Sequence, residues 1–359
     1  MNKRLIIWTG LALVMLACNF GIVAPTPSTN LLATLAASTP LGGNPPTAYA
    51  TQAGTTPTSA FNFPTPIPVT ATPLTPQLTS SDVNPPTGKI VFTCQIFKTQ
   101  AQDQICIINA DGSGFRRLTA NDNQRHYYPS PSPDGKSIVY AAATEKNFFD
   151  IFEMELVSGK VTQLTNKYGD LNAPEISPDG KRIIFKRWNP NLKMDVMYTM
   201  DRDGKNIGRF SRIGGWDPTW SPDGQSVLFA SNVDGDVQLY SSFLDDSKLH
   251  RVSNLPGIRG RSDWSPDGQS ILTDSGAPWN HEVYIMNVDG SGARVLSPQG
   301  GNAQGASFSP DGRWIVFTAY YDHPNEENGC ELYILRADGT DLRRLTDNDY
   351  CDYQPRWGP

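Results

Sequence analysis

A four-residue sequence, Ser-Pro-Asp-Gly, recurs five times in this chain of 359 residues. The copies begin at Ser132, Ser177, Ser221, Ser265 and Ser309, so successive copies are 44 or 45 residues apart. Proline presets φ for the second position of a type I turn, aspartate tolerates the third, and glycine accepts the conformation that follows. Each copy precedes a run rich in Val, Ile and Phe, such as "SVLFAS". The pattern predicts a tight turn between two β-strands.

Each repeat contains four strand-like segments. After the turn and its apolar run come a second run such as "VYIMNVDG", a short piece such as "RRLT", and a stretch such as "DPTWS" that leads into the next turn. Six copies begin at Gly88, Gly135, Gly180, Gly224, Gly268 and Gly312. A period of about 45 residues with four strands is typical of a propeller blade. The predicted fold is all-β: a six-bladed β-propeller with four-stranded blades over residues 87–359.

The two ends of the propeller are expected to meet. The copy at Gly88 has no inner strand before it, whereas the chain ends on "DYQPRWGP", which resembles "GWDPTWSP" in an inner-strand position. Residues 353–357 should therefore supply the inner strand of the first blade. Closing the ring in this way removes two exposed sheet edges.

The N-terminus is interpreted as an export and anchoring segment. Residues 1–17 combine Lys3 and Arg4 with an apolar core, as in a signal peptide. Cys18 ends "MLAC", which resembles a bacterial lipobox, so Cys18 is the expected lipid-attachment site; an ordinary signal peptide or a signal anchor is the alternative. Residues 18–86 contain no Lys or Arg and form a Pro/Thr/Ser-rich linker predicted to be disordered. The expected location is the bacterial cell envelope, with the protein lipid-anchored to a membrane.

Composition and motifs favour a binding protein. With 36 acidic and 30 basic residues, the chain is not expected to bind nucleic acid. We identify no catalytic motif, and we expect no cofactor, no metal and a monomer; for example, "GQSVL" lacks the closing glycine of a nucleophile elbow. His126, His281 and His323 fall in segments expected to be loops on one face. They are interpreted as exposed loop residues, with a metal site as the alternative.

Four cysteines remain besides Cys18. An even number of cysteines in an exported domain suggests disulfides. We predict the pairs Cys94–Cys106 and Cys330–Cys351. The alternative is a Cys94–Cys351 bond, which would lock the ring closure directly.

The combination of "WSPDG", "VYIMNVDG" and "RRLT" resembles the TolB-like propeller repeat, from Gly88 to the end of the chain. The resemblance implies a fold more than a function, because TolB itself, prolyl-oligopeptidase-type peptidases and several envelope binding proteins share this repeat. TolB carries an extra N-terminal α/β domain where this chain has its linker. The peptidases carry a hydrolase domain after the propeller.

The varied loops of one face, opposite the Ser-Pro-Asp-Gly turns, are the expected binding surface. The candidate residues are aromatic or charged and are expected to be exposed in these loops: Tyr127, Tyr128, Trp188, Trp216, Asp217, Arg261, Trp279 and Tyr353. The alternative is that these rings only pack the loops together. The predicted function is non-catalytic binding of an unidentified protein or peptide. A glycan-binding or polysaccharide-degrading propeller is the alternative, with Glu175 and Asp263 near the central channel.

Overall fold

The structure, a computed structural model, describes residues 84–95, 103–120, 123–145, 148–244, 248–322 and 329–359. These segments form 24 β-strands. In chain order the strands are β1 (Lys89–Gln95), β2 (Asp103–Asn109), β3 (Arg116–Arg117), β4 (His126–Pro131), β5 (Ser137–Glu145), β6 (Phe148–Glu155), β7 (Val161–Gln163), β8 (Leu171–Ile176), β9 (Arg182–Asn189), β10 (Met194–Asp201), β11 (Gly208–Arg209), β12 (Trp216–Trp220), β13 (Ser226–Ser231), β14 (Gln238–Phe243), β15 (Leu249–Arg251), β16 (Asp263–Trp264), β17 (Ser270–Ala277), β18 (Asn280–Asn287), β19 (Arg294–Val295), β20 (Gln304–Phe308), β21 (Trp314–Ala319), β22 (Glu331–Arg336), β23 (Arg343–Arg344) and β24 (Asp352–Gly358).

The strands form six antiparallel sheets of four, which are the blades of a propeller. Blade 1 has the order β24-β1-β2-β3, and blades 2 to 6 each contain four consecutive strands, from β4–β7 to β20–β23. The inner strands are β24, β4, β8, β12, β16 and β20. The predicted all-β, six-bladed architecture with four-stranded blades is confirmed.

The C-terminal strand closes the ring. β24 pairs antiparallel with β1, with Ile90 opposite Trp357. Trp357 is 6% exposed and packs with Ile90, Phe92 and Trp314 between blades 1 and 6. Its indole Nε1 donates a hydrogen bond to the Thr87 carbonyl at 2.8 Å. The predicted closure is confirmed, and its aromatic anchor is buried.

The Ser-Pro-Asp-Gly segments form identical turns on one face, which we call the turn face. In blade 2 the Ser132 hydroxyl donates to Asp134 Oδ1 at 2.6 Å, and the Gly135 N–H donates to the Ser132 carbonyl at 2.9 Å. Gly135 has φ +66°, a conformation that favours glycine. The hydrogen bond from Ser132 lowers the pKa of Asp134. The repeated letters are therefore explained by turn geometry and side-chain hydrogen bonding.

The Thr or Ser that ends the short piece before the outer loop, as in "RRLT", "HRVS" and "RVLS", has the same structural role in five blades. A hydroxyl at this position accepts a hydrogen bond from a backbone N–H near the start of the third strand of its own blade, at 2.8 to 2.9 Å. The hydroxyls belong to Thr119, Thr165, Ser253, Ser297 and Thr346. Each fixes its outer strand against the third strand where backbone pairing is short.

Two disulfides are present in the described part of the chain. Cys94 and Cys106 join β1 to β2 within blade 1, and Cys330 joins Cys351, which precedes β24. The second bond therefore ties blade 6 to the strand that closes the ring. Disulfides persist in oxidising compartments outside the cytoplasm, which supports an exported protein.

The chain enters the described domain at Asn84, on the side of the turn face. Arg313 and the indole of Trp314 donate hydrogen bonds to Asn84 at 2.8 and 3.2 Å. Asn84, which the sequence assigned to the linker, thus contacts blade 6. The predicted signal peptide, Cys18 and the linker up to residue 83 lie outside the described residues. In the described segments no helix has the length and hydropathy needed to span a membrane.

Candidate functional site

Most of the inner strands are interrupted by a bulge. The register of the inner strand against its neighbour shifts in five blades. Within each shift one residue has a left-handed backbone: Tyr128 (φ 53°), Ala173 (φ 49°), Asp217 (φ 49°), Gln354 (φ 56°) and Gly305 (φ 62°). A non-glycine residue in this region costs about 1–2 kcal/mol, and bulges re-aim side chains. The side chains of Tyr128, Asp217 and Gln354 line the channel between the inner strands at the face opposite the turns.

At this face, which we call the loop face, the channel opens into a cavity of about 400 Å³. Blades 1, 2, 4, 5 and 6 all contribute to its wall. The lining residues are Gln95, Tyr128, Asp217, Arg259, Arg261, Asp274, Trp279, Gln304, Gly305, Thr318, Tyr320, Cys351, Tyr353 and Gln354. We refer to this space as the loop-face cavity.

The loop-face cavity contains a buried guanidinium group. Arg261 is 9% exposed, and its Nη2 donates to the Pro129 carbonyl at 3.5 Å. Its buried Nε has no hydrogen-bond partner among the described residues. The guanidinium lies 5.4 Å from the centroid of the Tyr128 ring. Burial, and then the neighbouring charge of Arg356, lower the pKa of Arg261 to about 9, so it remains protonated at neutral pH.

The same wall contains a buried carboxyl group with a free oxygen. Asp274 is 2% exposed, and its Oδ1 accepts a hydrogen bond from the Gly305 N–H at 3.3 Å. Its Oδ2 has no partner within the described segments. Burial raises the pKa of Asp274 to about 7, and burial also raises the pKa of Asp217. Near neutral pH, Asp274 can therefore accept or donate a hydrogen bond.

The rim of the loop-face cavity is aromatic. Trp279 is 55% exposed, and its ring centroid lies 6.1 Å from that of Tyr320 in an edge-on arrangement. Arg259 is exposed, and its Nη1 donates to Gln304 Oε1 at 3.1 Å. The rim thus offers a flat apolar surface beside an exposed cation.

A charged girdle forms the floor of the cavity. Arg356 lies 3.6 Å from Glu175 Oε2 and 3.7 Å from Asp263 Oδ1, and its Nη2 donates to the Ser262 carbonyl at 3.1 Å. Glu175 Oε1 also accepts from the Thr219 hydroxyl at 2.9 Å. The space at this level, beside Arg261 and Arg356, is only about 10 Å³. The channel therefore narrows to the space of about one water molecule at the base of the loop-face cavity.

Below the girdle lies a second cavity of about 330 Å³, which opens on the turn face. Its wall is built from repeated turn prolines and inner-strand aromatic residues. They include Pro133, Pro178, Pro266 and Pro310 together with Trp220, Trp264, Phe308 and Trp357. We call this space the turn-face cavity.

The sequence-derived candidates do not form one surface. Five of the eight line the loop-face cavity: Tyr128, Asp217, Arg261, Trp279 and Tyr353. Trp216 instead donates its Nε1 to the Arg259 carbonyl at 2.8 Å. Tyr127 packs on Phe149 in a neighbouring groove, with ring centroids 5.6 Å apart. Trp188 is 42% exposed at the end of β9 and does not line the cavity.

The expectation that these residues sit in exposed loops was wrong for most of them. Segments such as "RHYYP" pair with the second strand, with Tyr127 opposite Ala141, so they extend the inner strands. Trp188, Trp216 and Tyr353 likewise belong to strands. Trp279 does lie in a turn, and Arg261 lies in a loop segment but is buried.

The histidine interpretation was wrong for two of the three residues. His126 and His281 belong to β4 and β18, and both are buried. Burial lowers the pKa of His126 to about 4, and the ring of His126 packs on Tyr140 at 5.8 Å. His323 lies outside the described residues. Across the segments that the structure describes, no three His, Cys, Asp or Glu side chains form a candidate metal site.

Sequence reasoning missed several residues of the cavity wall: Arg259, Asp274, Gln304, Tyr320 and Gln354. For Asp274 a signal was available. Counted from the Ser-Pro-Asp-Gly turns, Asp274 occupies the second-strand position that Ala230 and Thr318 occupy in blades 4 and 6. The same position holds a small residue in every other blade except blade 3, which has Lys186, so a carboxylate there distinguishes blade 5.

Comparison with known proteins supports the fold. Residues 77–215 match the family of TolB beta propeller domains. An uncharacterized protein of Agrobacterium fabrum, Atu1656, is 34% identical over 135 residues, which are 37% of this chain and 44% of that protein. The Tol-Pal system protein TolB of Francisella tularensis is 28% identical over 113 residues, 31% of this chain and 26% of that protein. The matched segments thus span less than half the length of these curated relatives.

Two solved structures have a similar fold. TolB from Acinetobacter baumannii superposes with a TM-score of 0.67 at 25% identity, covering 77% of this chain and 68% of that one. A putative TolB from Agrobacterium tumefaciens superposes with a TM-score of 0.58 at 20% identity, covering 76% of this chain and 98% of that one. The described domain is therefore a TolB-like six-bladed propeller.

Proposed function

We propose that this TolB-like propeller is a non-catalytic binding protein of the bacterial envelope that captures a protein or peptide partner in the loop-face cavity. A lipid on Cys18 tethers it to a membrane. The observation that carries the proposal is the loop-face cavity itself, where five blades bring aromatic rings and buried charges into one pit of about 400 Å³. Concave sites with a few placed polar groups among apolar side chains are typical binding sites.

The strained backbone supports a functional role for the same site. Tyr128, Asp217 and Gln354 all line the cavity, and all three adopt left-handed conformations that side chains rarely accept. Such conformations persist where the surrounding structure enforces them, and they cluster at functional sites. Binding would use the side chains that these bulges direct into the cavity.

Catalysis by Glu175 and Asp263, the acidic residues near the centre of the channel, is not favoured, because both have structural partners. Glu175 accepts hydrogen bonds from Thr219 and from the Trp220 N–H, and it lies beside Arg356. Asp263 accepts from the Phe308 N–H at 2.9 Å and also lies beside Arg356. These contacts join neighbouring blades. General acid or base chemistry needs a carboxyl group free to reach a substrate proton, so the pair Glu175 and Asp263 suits a structural role.

The point of chain entry is consistent with a tethered receptor. Asn84 joins the domain beside Arg313, which directly follows a turn of the turn face. The loop-face cavity opens on the opposite side of the propeller. A membrane tether that reaches the domain at the turn face would leave the loop-face cavity open to a partner.

The proposed function is tested by partner capture from the cell envelope of the source bacterium. The full chain is compared with Trp279→Ala, which removes the exposed ring at the cavity rim. Trp188→Ala serves as the matched control, because Trp188 is also exposed but lies away from the cavity. A partner identified by mass spectrometry should be lost with Trp279→Ala and retained with Trp188→Ala. Equal retention by both variants would contradict binding in the loop-face cavity.

The anchor is tested separately by Cys18→Ala. The variant should either remain unprocessed or leave the membrane fraction, since the thiol is the proposed site of lipid attachment. Processing by signal cleavage and unchanged membrane fractionation of this variant would show that Cys18 carries no lipid.

A further inference from the structure

We propose that the loop-face cavity contains a carboxylate-binding subsite centred on Arg261, and that the group it receives is a carboxylate of a peptide entering the cavity end-on. This inference rests on the proposed function, because it specifies the chemistry that a peptide partner must present. It assigns Arg261 as the primary contact and Arg259 as a second donor at the rim.

The first argument is the incomplete hydrogen bonding of Arg261. A guanidinium group carries five N–H donors, and burying it without acceptors is costly. Arg261 is more than nine-tenths buried and lines the cavity, yet among the described residues it makes one hydrogen bond, at 3.5 Å, and its Nε has none. A carboxylate satisfies two guanidinium donors at once. A planar anion such as a carboxylate would therefore satisfy the donors of Arg261 that lack an acceptor.

The second argument is the local charge. Arg356 is neutralised by Glu175 and Asp263 in the floor. Burial raises the pKa of Asp274 to about 7, so this carboxyl group is only partly charged near neutral pH, and Asp217 is the other carboxyl group that lines the cavity. Arg259 and Arg261 thus leave positive charge in the cavity. The free Oδ2 of Asp274 can meet an N–H or a hydroxyl of the same ligand, so the subsite suits a carboxylate that carries a polar neighbour, as in a peptide.

The third argument is the shape of the site. The charged girdle narrows the channel to the space of about one water molecule, so a larger ligand enters from the loop face and stops beside Arg261. A pit that narrows in this way accepts the end or a side chain of a polymer, whereas a long chain would lie in an open groove. Trp279 and Tyr320 at the rim provide apolar contact for the residue that precedes the carboxylate. We therefore favour a peptide over an acidic polysaccharide.

The test compares four probes on the full chain by equilibrium dialysis. The first is a pool of N-acetylated tripeptides with a free C-terminal carboxylate and no acidic side chain. The second is the same pool with the C-terminus amidated, and the third is an amidated pool with one Asp or Glu per peptide. The fourth is a galacturonate trisaccharide. Retention of each probe is measured by mass spectrometry for the wild-type chain, Arg261→Gln and the matched control Arg294→Gln, which removes an exposed arginine of an outer strand.

Charge-assisted hydrogen bonds contribute enough to give about a tenfold preference for a carboxylate over its amide. We expect the free-acid pool or the acidic-side-chain pool to be retained at least about tenfold better than the amidated pool. The preference should disappear in Arg261→Gln and persist in Arg294→Gln. The pool that shows it identifies the source of the carboxylate, a chain end or a side chain.

Equal retention of acid and amide by the wild-type chain overturns the inference, as does a preference that survives in Arg261→Gln. If the wild-type chain retains only the trisaccharide, the site binds a glycan, and the inference is also overturned. Thermal unfolding would reveal whether Arg261→Gln fails to fold. In that case the comparison of acid and amidated pools on the wild-type chain still tests the inference. If peptides bind without regard to the carboxylate and partner capture depends on Trp279, the proposed function survives and only the subsite fails.

Discussion

The channel between the inner strands has two mouths, and they differ in chemistry. The turn-face cavity is lined by prolines and aromatic rings that recur from blade to blade, such as Pro178, Pro266 and Trp220. The loop-face cavity is lined by side chains that differ in every blade, and it contains a buried cation and a buried acid with unpartnered atoms. The two cavities are separated by a constriction beside Arg356, which contains only about 10 Å³ of space.

This difference indicates how the repeat divides its tasks. Repeated residues make the turns and the contacts between blades, so changing them should cost stability. Residues that differ between blades carry the strained backbones and incomplete hydrogen bonds, so changing them should alter binding and pH dependence. Four predictions test that division, beginning with the largest effect.

Removing the inner strand of blade 1 should prevent stable folding. Deletion of residues 352–359 leaves β1 with an open edge and removes the buried Trp357. The milder change Trp357→Ala should reduce the free energy of unfolding by about 3–5 kcal/mol. Denaturant unfolding monitored by circular dichroism measures both. Phe243→Ala, at an exposed ring, is the control with a change within about 0.5 kcal/mol. An unchanged unfolding midpoint for Trp357→Ala would show that ring closure through this residue does not stabilise the protein.

Breaking the girdle should be nearly as costly. Arg356→Gln leaves Glu175 and Asp263 without their cation, and losing one partner of a buried ion pair costs about 3–5 kcal/mol. Burial raises the pKa of Glu175 and the charge of Arg356 lowers it, so removing Arg356 favours protonation of Glu175 and should make the loss smaller at pH 5 than at pH 8. Unfolding at both pH values measures it, with Arg294→Gln as the control. A loss that is equal at pH 5 and pH 8 would argue that Glu175 does not take up a proton in this range when Arg356 is removed.

Asp274 should make the wild-type protein less stable at high pH. Its pKa rises from 3.8 in the unfolded chain to about 7 in the folded one. The stability that the neutral carboxyl group contributes is therefore complete below about pH 4 and lost as the pH rises through about 7. At about 1.4 kcal/mol per pKa unit, Asp274→Asn should be more stable than wild type by about 2–4 kcal/mol at pH 8, with little difference near pH 4.

Thermal and urea unfolding across this pH range tests the prediction. Asp289→Asn provides a control of opposite sign, since hydrogen bonds from Ser291 lower the pKa of Asp289. If the difference in unfolding free energy between Asp274→Asn and wild type did not grow with pH, the raised pKa of Asp274 would be excluded.

The smallest effect is expected at the turn face. Asp223 and Asp267 each accept a hydrogen bond from the serine of their turn, at 2.6 and 2.5 Å. The double change of Asp223→Asn and Asp267→Asn should cost about 1 kcal/mol per turn or less. Retention of the carboxylate probes should stay unchanged. Loss of that retention in a folded double variant would place recognition at the turn face and reverse the comparison.

The fold could be predicted from the sequence because its signals are local. The Ser132 turn, its apolar run and the hydroxyl of Thr119 or Thr165 act within one blade, so each copy can be interpreted alone and the copies can be compared. The ring closure was also predictable, because "DYQPRWGP" repeats an inner-strand pattern. The site was predicted only in part. The aromatic residues of the sequence correctly suggested Trp279 and Tyr353 as binding residues. They gave no indication of Asp274, and they wrongly added Trp188, which lies away from the cavity.

By itself the sequence determined the number of blades, the chemistry of the turns and the partner of the last strand, since all three depend on short, repeated spacings. Only the tertiary structure decided which side chains share a cavity. Arg261 meets the Pro129 carbonyl across 132 residues, and Arg356 meets the Ser262 carbonyl across 94. Such contacts exist only after six blades have closed around one axis, and whether a residue such as Arg261 or His126 is buried depends on that closure.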